Sequence, residues 1–302
     1  MSSDSRRRLQ ILAAFAVVYL VWGSTYLAIR IGVRDIPPAL LAGVRNVIAG
    51  IAIMGIACAR ERVLPRNSRN WLHALIMGVL MVAAGNGLVT WAEVQVHSNQ
   101  AALIASTSAL WVAGLGMLGP RGHALNWRVR IGLLLGFAGA VLMLMPGEHF
   151  SFSHFNAQLL ILLSSLCWGI GVIYGRTFSV NVPPLLLSGM LLFCGGVLLA
   201  LIGVATGEPA HWHWSLRGLG ALAYLTVFGS CVAYSTYVWL IHHTTPDKLS
   251  TTAYVNPAIA LVLGWLVLGE KVQGVRLLGM LVILAGVILV TTRYARRKVP
   301  VS

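Results

Sequence analysis

Charge is what this chain has least of. Only 10% of its 302 residues are Asp, Glu, Lys or Arg, whereas soluble proteins, whose surfaces must face water, carry about 25%. Acidic residues are the scarcer kind, eight against 22 Lys and Arg. Cysteines are few and scattered: Cys58, Cys167, Cys194 and Cys231 each sit inside an apolar run. Without ligand spacing they read as small buried hydrophobes, and not as a zinc site or a disulfide framework. No Gly-Lys-Ser/Thr loop is present, which removes an ATP-driven pump. An aspartyl intramembrane protease needs two aspartates within the membrane, yet Asp4, Asp35 and Asp247 all fall outside the apolar runs. The His-Trp-His at 211–213 is a weak metal-like pattern that reads better as an interface anchor. No cofactor is expected.

Apolar sequence is what the chain has in abundance: 58% hydrophobic residues and a mean hydropathy of +0.81. Thirty-two glycines suit membrane helices, where small residues let backbones approach closely. Ten runs are long enough for a span of about 20 residues, near 10–33, 37–59, 71–94, 98–118, 128–146, 156–178, 183–206, 216–241, 248–268 and 274–292. The first run follows Arg6-Arg7-Arg8 but is too long for the apolar stretch of a cleaved signal peptide, so it reads as a span. The net charge of +14 comes from short basic clusters between runs. Anionic lipid headgroups fit those clusters better than nucleic acid does. With the N-terminus cytoplasmic, sixteen Lys and Arg fall inside and four outside. The positive-inside rule therefore predicts both termini in the cytoplasm, with basic tails at 1–9 and 293–302.

One stretch occurs twice. Leu20–Gly50 and Leu166–Gly196, offset by 146 positions, share ten of 31 residues. Among them are Trp22/Trp168, Gly23/Gly169, Arg30/Arg176 and the pairs Pro37-Pro38 and Pro183-Pro184. Self-similarity at one fixed spacing is a repeat signature. It joins run 1 to run 6 and run 2 to run 7, so the unit is five spans, 10–146 and 156–292. An odd number of spans makes the second unit enter the membrane upside down. Inverted repeats are transporter architecture, with a substrate site near mid-membrane between the halves. The expected fold is thus an all-α integral membrane protein of ten transmembrane helices in two inverted five-helix repeats.

The residues also resemble a known family. Trp22-Gly23-Ser24-Thr25, Pro37-Pro38 and Ala42-Gly43-Val44-Arg45 are similar to the opening of the EamA-like branch of the drug/metabolite transporter superfamily. So are Asn256-Pro257, Gly269-Glu270-Lys271 and Leu284-Ala285-Gly286-Val287 near the end. The resemblance covers essentially the whole chain as two units, and bacterial inner-membrane exporters are the nearest likeness. It implies ten helices, cytoplasmic termini, a central cavity lined by spans 1, 3, 4, 6, 8 and 9, and export of small organic metabolites. The first unit departs from the pattern: where the second has Asn256-Pro257 and Glu270, it has Ser106-Thr107 and Pro120. A proline-broken helix is therefore expected in span 9 alone.

Polar groups inside spans usually face the bundle interior or a cavity, because lipid makes them costly. Arg45 in span 2 could hold a substrate carboxylate in a bidentate fork, or could bond helix ends or Glu93 for structural reasons. Glu93, at the end of span 3, could exchange protons or pair with Arg30 or Arg45. Arg30 and Arg176 are expected to snorkel. Trp22, Ser24 and Thr25, with Trp168, are candidates for an aromatic wall beside exposed backbone. Asn86 between two glycines, Thr90, Ser108 and Trp111 are candidates in the rest of the first unit; Tyr234, Tyr254 and Asn256 are their counterparts in the second. Hydroxyls on membrane helices often bond only their own backbone.

The function that fits is a secondary transporter, exporting amino acids or drug-like metabolites by alternating access, uncoupled or exchanging protons through Glu93. An intramembrane enzyme or a channel is the alternative. A monomer or weak homodimer, working on a small-molecule substrate within the bilayer, is expected.

Overall fold

The computed structural model describes residues 3–62, 64–118, 127–144, 155–178, 182–244, 246–249, 251–269 and 274–291, and every regular element among them is helical. Helix α1 (Ser3–Gly32) is followed by α2 (Pro38–Glu61). Next, α3 (Ser68–Met77) runs through a π-helical segment, Gly78–Gly87, into α4 (Leu88–Ala92). Then come α5 (Ser98–Ala105), α6 (Ser108–Leu118) and α7 (Trp127–Leu144). The later part of the chain has α8 (Phe155–Thr177) and α9 (Pro184–Ala205). There, α10 (Leu216–Tyr224) leads through a second π-helical segment, Leu225–Tyr234, into α11 (Ser235–His243). A short α12 (Pro246–Leu249) precedes α13 (Thr252–Leu268) and α14 (Gly274–Thr291).

Among the described residues, six helices are long and apolar enough to cross a membrane: Ser5–Gly32, Pro38–Glu61, Ser68–Ala92, Phe155–Thr177, Pro184–Ala205 and Leu216–His243. Shorter apolar helices lie at Gln100–Gly116, Arg130–Gly139 and Val255–Leu268. Their outward faces are greasy: Leu20, Leu134, Leu201 and Leu266 are each more than 60% exposed. Apolar area on that scale is not tolerated in water, and it is the surface a bilayer covers. The basic residues Arg6, Arg7 and Arg8, expected in a tail, continue α1 as helix. At 30 residues α1 exceeds what the hydrocarbon needs, so its basic end can lie at headgroup level. Positions 293–302 lie outside the described residues.

Local structure repeats along the chain. Pro37 and Pro183 are both extended, φ −55° and −56° with ψ near 145°, and each precedes a proline at the first helical turn of α2 or α9. A residue before proline is pushed out of the α region, while proline itself suits the first turn. The two π segments are each ten residues long and start 147 positions apart.

Helices α2 and α9 pack together, as do α7 and α14. The α2/α9 seam is built from four glycines. A Cβ on Gly43 would lie 2.6 Å from the Ala200 nitrogen, and one on Gly189 would lie 2.8 Å from that of Met54. A Cβ on Gly50 would meet the Phe193 nitrogen at 2.6 Å, and one on Gly196 the Val47 nitrogen at 2.7 Å. Each contact becomes its partner when 146 is added to one residue and subtracted from the other. Helix α1 packs on the second π segment and on α13; α8 packs on the first π segment, α5 and α6.

Span 4 differs from expectation. It is interrupted between α5 and α6 at Ser106-Thr107, whereas α13 runs on through Pro257. The Ser106 and Thr107 hydroxyls donate to the carbonyls of Leu103 (2.6 Å) and Ile104 (2.8 Å). Such local bonds compete with the helical ladder, and the amides of Ala109 and Leu110 reach only three residues back.

Candidate functional site

The inward stripe of α1 runs Phe15, Val18, Trp22, Thr25 and Ile29, at spacings of three and four that place one helix face on the core. Helix α8 presents Ile161, Ser164 and Trp168 in the same way. The repeat mates Trp22 and Trp168 meet edge to face, ring centroids 5.4 Å apart and planes at 82°. Tyr234 and Tyr237 complete an aromatic cluster: Tyr237 lies 4.7 Å from Trp22 and 5.5 Å from Trp168. Edge-to-face geometry of this kind adds about 0.5–1.5 kcal/mol beyond area burial.

Each half's first helix bonds a carbonyl in the other half's π segment. Trp22 Nε1 donates to Gly229 O at 3.2 Å, and Ser164 Oγ donates to Gly85 O at 2.6 Å. π turns concentrate at functional sites, and the glycines let the neighbouring helix approach: a Cβ on Gly85 would lie 3.0 Å from the Trp168 ring.

Against this cluster lies a cavity of about 100 Å³. Trp22, Thr25, Asn86, Ser108, Trp168, Tyr234 and Asn256 line it, all singled out from sequence, and so does Arg45. Arg45 is 3% exposed, and its Nη2 donates to Asn86 Oδ1 at 3.2 Å. Three polar atoms on the wall have no hydrogen-bond partner among the described residues: Arg45 Nε, Tyr234 Oη and Asn256 Oδ1. Glu93 is fully buried at the end of α4 and is not among the residues that line the cavity.

Other candidates lie elsewhere. Ser24 turns away from the cavity, with its hydroxyl 2.6 Å from Tyr224 Oη; a neighbour of Thr25 is rotated about 100° around the helix, so only one of the pair can face inward. Thr90 is fully buried and donates to the Asn86 carbonyl at 2.8 Å. Trp111 is 38% exposed on the outer surface, its Cβ held against Gly169. The Tyr254 side chain lies outside what the structure describes. Arg30 and Arg176 cap helix ends: Arg30 Nη1 donates to the carbonyls of Glu93 and Val94, and Arg176 Nη1 to those of Ile241 (3.2 Å) and Thr244 (3.0 Å). Tyr26, Ser164 and Ser165 line the cavity without having been singled out. The two serines lie one helical turn before Trp168, which was the available signal.

A central cavity walled by paired aromatic and polar side chains inside a greasy helical bundle is what a carrier of small solutes requires. Comparison with known proteins agrees. A model of the EamA-like transporter family matches the chain twice, over residues 9–145 and 155–292. The chain belongs to the EamA-like transporter family. It is 36% identical to the uncharacterized inner membrane transporter YedA of Escherichia coli K12 over 95% of this chain and 92% of that one. An uncharacterized transporter from Bacillus subtilis, YoaV, is 23% identical over 96% and 99%. Among solved structures, one crystal structure superposes with a TM-score of 0.73 at 21% identity, covering 95% of this chain and 98% of that one, a likeness of fold. This EamA-like chain is a membrane transporter, and family membership points to transport and not to enzymatic turnover.

Proposed function

We propose that the chain is a secondary carrier of the bacterial inner membrane that exports small organic metabolites by alternating access. Its halves, 10–146 and 156–292, are read as inverted repeats of five spans each, ten in all, with both termini cytoplasmic. The observation that carries the reading is the exchange relation at the centre: Trp22 meets its own repeat mate Trp168 beside the cavity. Swapping the halves reproduces the glycine seam and the pairing of each first helix with the other half's π segment. A pseudo-two-fold axis in the membrane plane offers two equivalent conformations of opposite access.

Size bears on cargo. Pockets for drug-sized ligands measure about 300–1,000 Å³, and this cavity is about 100 Å³. A metabolite on the scale of an amino acid fits this reading better than a bulky drug. Transport is either uncoupled or exchanges protons through Glu93, in a monomer or weak homodimer.

Counterflow in proteoliposomes tests the carrier: saturable exchange of an unmodified solute is expected, and a chemically altered product would support an enzyme. Topology tests the repeats. Leu64 and His211, exposed loop positions 147 apart, are each replaced by Cys in a cysteine-free background. Impermeant maleimide is expected to label His211→Cys from the periplasm and Leu64→Cys only after permeabilisation. Labelling of both from one side removes the inverted repeat.

A further inference from the structure

The cavity has two ends, and an arginine crosses the bundle beyond each of them. Tyr26 of α1 and Val89 of α4 line the cavity. Arg30 and Glu93 stand four residues further along, on the same helix faces. Arg30 Nη1 donates to the carbonyls of Glu93 and Val94, which links α1 to the end of α4. Its repeat mate does the same at the opposite end. Trp168 of α8 lines the cavity, and Tyr237 of α11 packs against it. Arg176 lies eight residues beyond Trp168, and Ile241 four beyond Tyr237. Arg176 Nη1 donates to the carbonyls of Ile241 (3.2 Å) and Thr244 (3.0 Å) at the end of α11.

The helices joined in this way have different main neighbours. Helix α1 packs on α13 and the second π segment, whereas α4 packs on α8 and the first π segment. Helix α8 packs on the first π segment and α6, whereas α11 packs on α9 and α1. The bonds are also of a kind that can open. The last carbonyls of a helix have no partner within it. An arginine near the end of a span reaches headgroup water with its long side chain. When the two part, water takes both places and no buried polar atom is left without a partner.

We propose that Arg30 and Arg176 are latches at opposite ends of the cavity: the Arg30 bonds part when the cavity opens to the outside, and the Arg176 bonds part when it opens to the cytoplasm. This rests on the carrier and topology readings above and adds the residues that gate access. Neither arginine lines the cavity. Each latch holds the empty and the loaded closed forms alike, so cargo affinity stays as it is and access changes. The two ends are unequal. Trp22 is the cavity residue of α1 farthest from Arg30, and Trp168 is that of α8 nearest Arg176. Their rings, with Tyr234 and Tyr237, therefore form a second barrier behind the Arg176 latch. The outer end is the more readily opened.

The test reads access to the cavity from each side in the full-length protein. Ala105, on the cavity wall, is replaced by Cys in a background lacking Cys58, Cys167, Cys194 and Cys231. Impermeant maleimide is then applied to intact cells and to inside-out vesicles. Arg30→Gln is expected to raise the labelling rate from the outside alone, several-fold and up to about 30-fold, the range set by a cation at a helix C-terminus. Arg176→Gln is expected to raise it from the cytoplasmic side alone, and by less. If a Gln variant does not reach the membrane, the Lys variant at that position decides. A single ammonium replaces the fork there, so a smaller rise on the same side is expected. A helix cap with no gating task would lower the melting temperature and leave both labelling rates unchanged, or raise them equally. Either result overturns the proposal, and so does a rise on the opposite side. Counterflow in proteoliposomes is measured alongside. Unchanged labelling with normal counterflow removes the latches and leaves the carrier standing, whereas a wild-type protein without counterflow removes the carrier reading itself.

Discussion

At the scale of single residues, the molecule is decided by where small and charged groups are placed. Gly43 admits the Ala200 backbone so closely that any side chain must push α2 from α9. Gly43→Leu should lower stability by about 1–3 kcal/mol or more, the range of an overpacked core. Gly55, with nothing within 4 Å of its Cβ direction, is the control. Gly55→Ala should be neutral or stabilise by up to about 1 kcal/mol through helix propensity. Thermal melts in detergent would compare the two, and equal effects would remove the seam argument. Glu208 is a second test. Its carboxylate accepts from the amides of Ala39 (3.2 Å) and Leu40 (2.8 Å) at the start of α2, where the helix dipole favours negative charge. Glu208→Ala should cost about 0.5–2 kcal/mol, the worth of a helix cap.

Much of this scale was readable beforehand and some was not. Trp22, Trp168 and Arg45 stood out because their types are rare or costly within lipid. Thr90 misled because a hydroxyl shows its type but not its partner, and its partner is its own helix. Trp111, a candidate in span 4 beside Ser108, does not join it on the cavity wall. The structure leaves Ser108 on the cavity wall and the Trp111 ring 38% exposed on the outer surface. Glu208 carried no signal at all: a cap supplied by a loop some 170 residues away depends on the completed fold.

Among elements, the π segments matter most. An α-helical reading of spans 3 and 8 gets the phase of their side chains wrong, because a π turn closes i→i+5. That is why the Arg45–Asn86 bond could not be derived from 3.6-residue periodicity, although both residues were candidates. Pro257 is the other irregular feature. Pro257→Ala should restore the bond to the Ala253 carbonyl and raise stability by at most about 3 kcal/mol. The same change should slow counterflow several-fold, because Ala253 lines the cavity. A variant that is more stable and equally fast would show that the carbonyl is not used.

For the molecule as a whole, the two arginine bonds stay inside one unit, while Trp22 and Ser164 reach across to the other. Arg30 ties α1 to the end of α4, and Arg176 ties α8 to the end of α11, each inside its own half. Arg30→Ala and Arg176→Ala should therefore lower melting temperature by similar amounts, each worth about 0.3–2 kcal/mol, while leaving substrate affinity unchanged. Trp22→Phe and Ser164→Ala remove bonds that cross between halves. They should change transport rate more than stability, read as the ratio of counterflow to melting shift. The doubled sequence pointed to two units, and the family model matches the chain twice, over residues 9–145 and 155–292. It did not reveal which carbonyl each first helix would choose, since Gly229 and Gly85 are not repeat mates.

The aromatic cluster is one-sided. At the 147-residue offset of the π segments, Tyr234 and Tyr237 answer to Gly87 and Thr90, which have no rings to stack on the tryptophans. A device made of interchangeable halves would spend equal time facing each way, with nothing to set its idle posture. On the alternating-access proposal, exchange of the halves would swap two tyrosines for a glycine and a threonine, so the two postures would differ in energy, and a few kcal/mol would decide which one dominates at rest. Loss of those two phenols would bring the idle populations toward parity and set no new destination for the cargo.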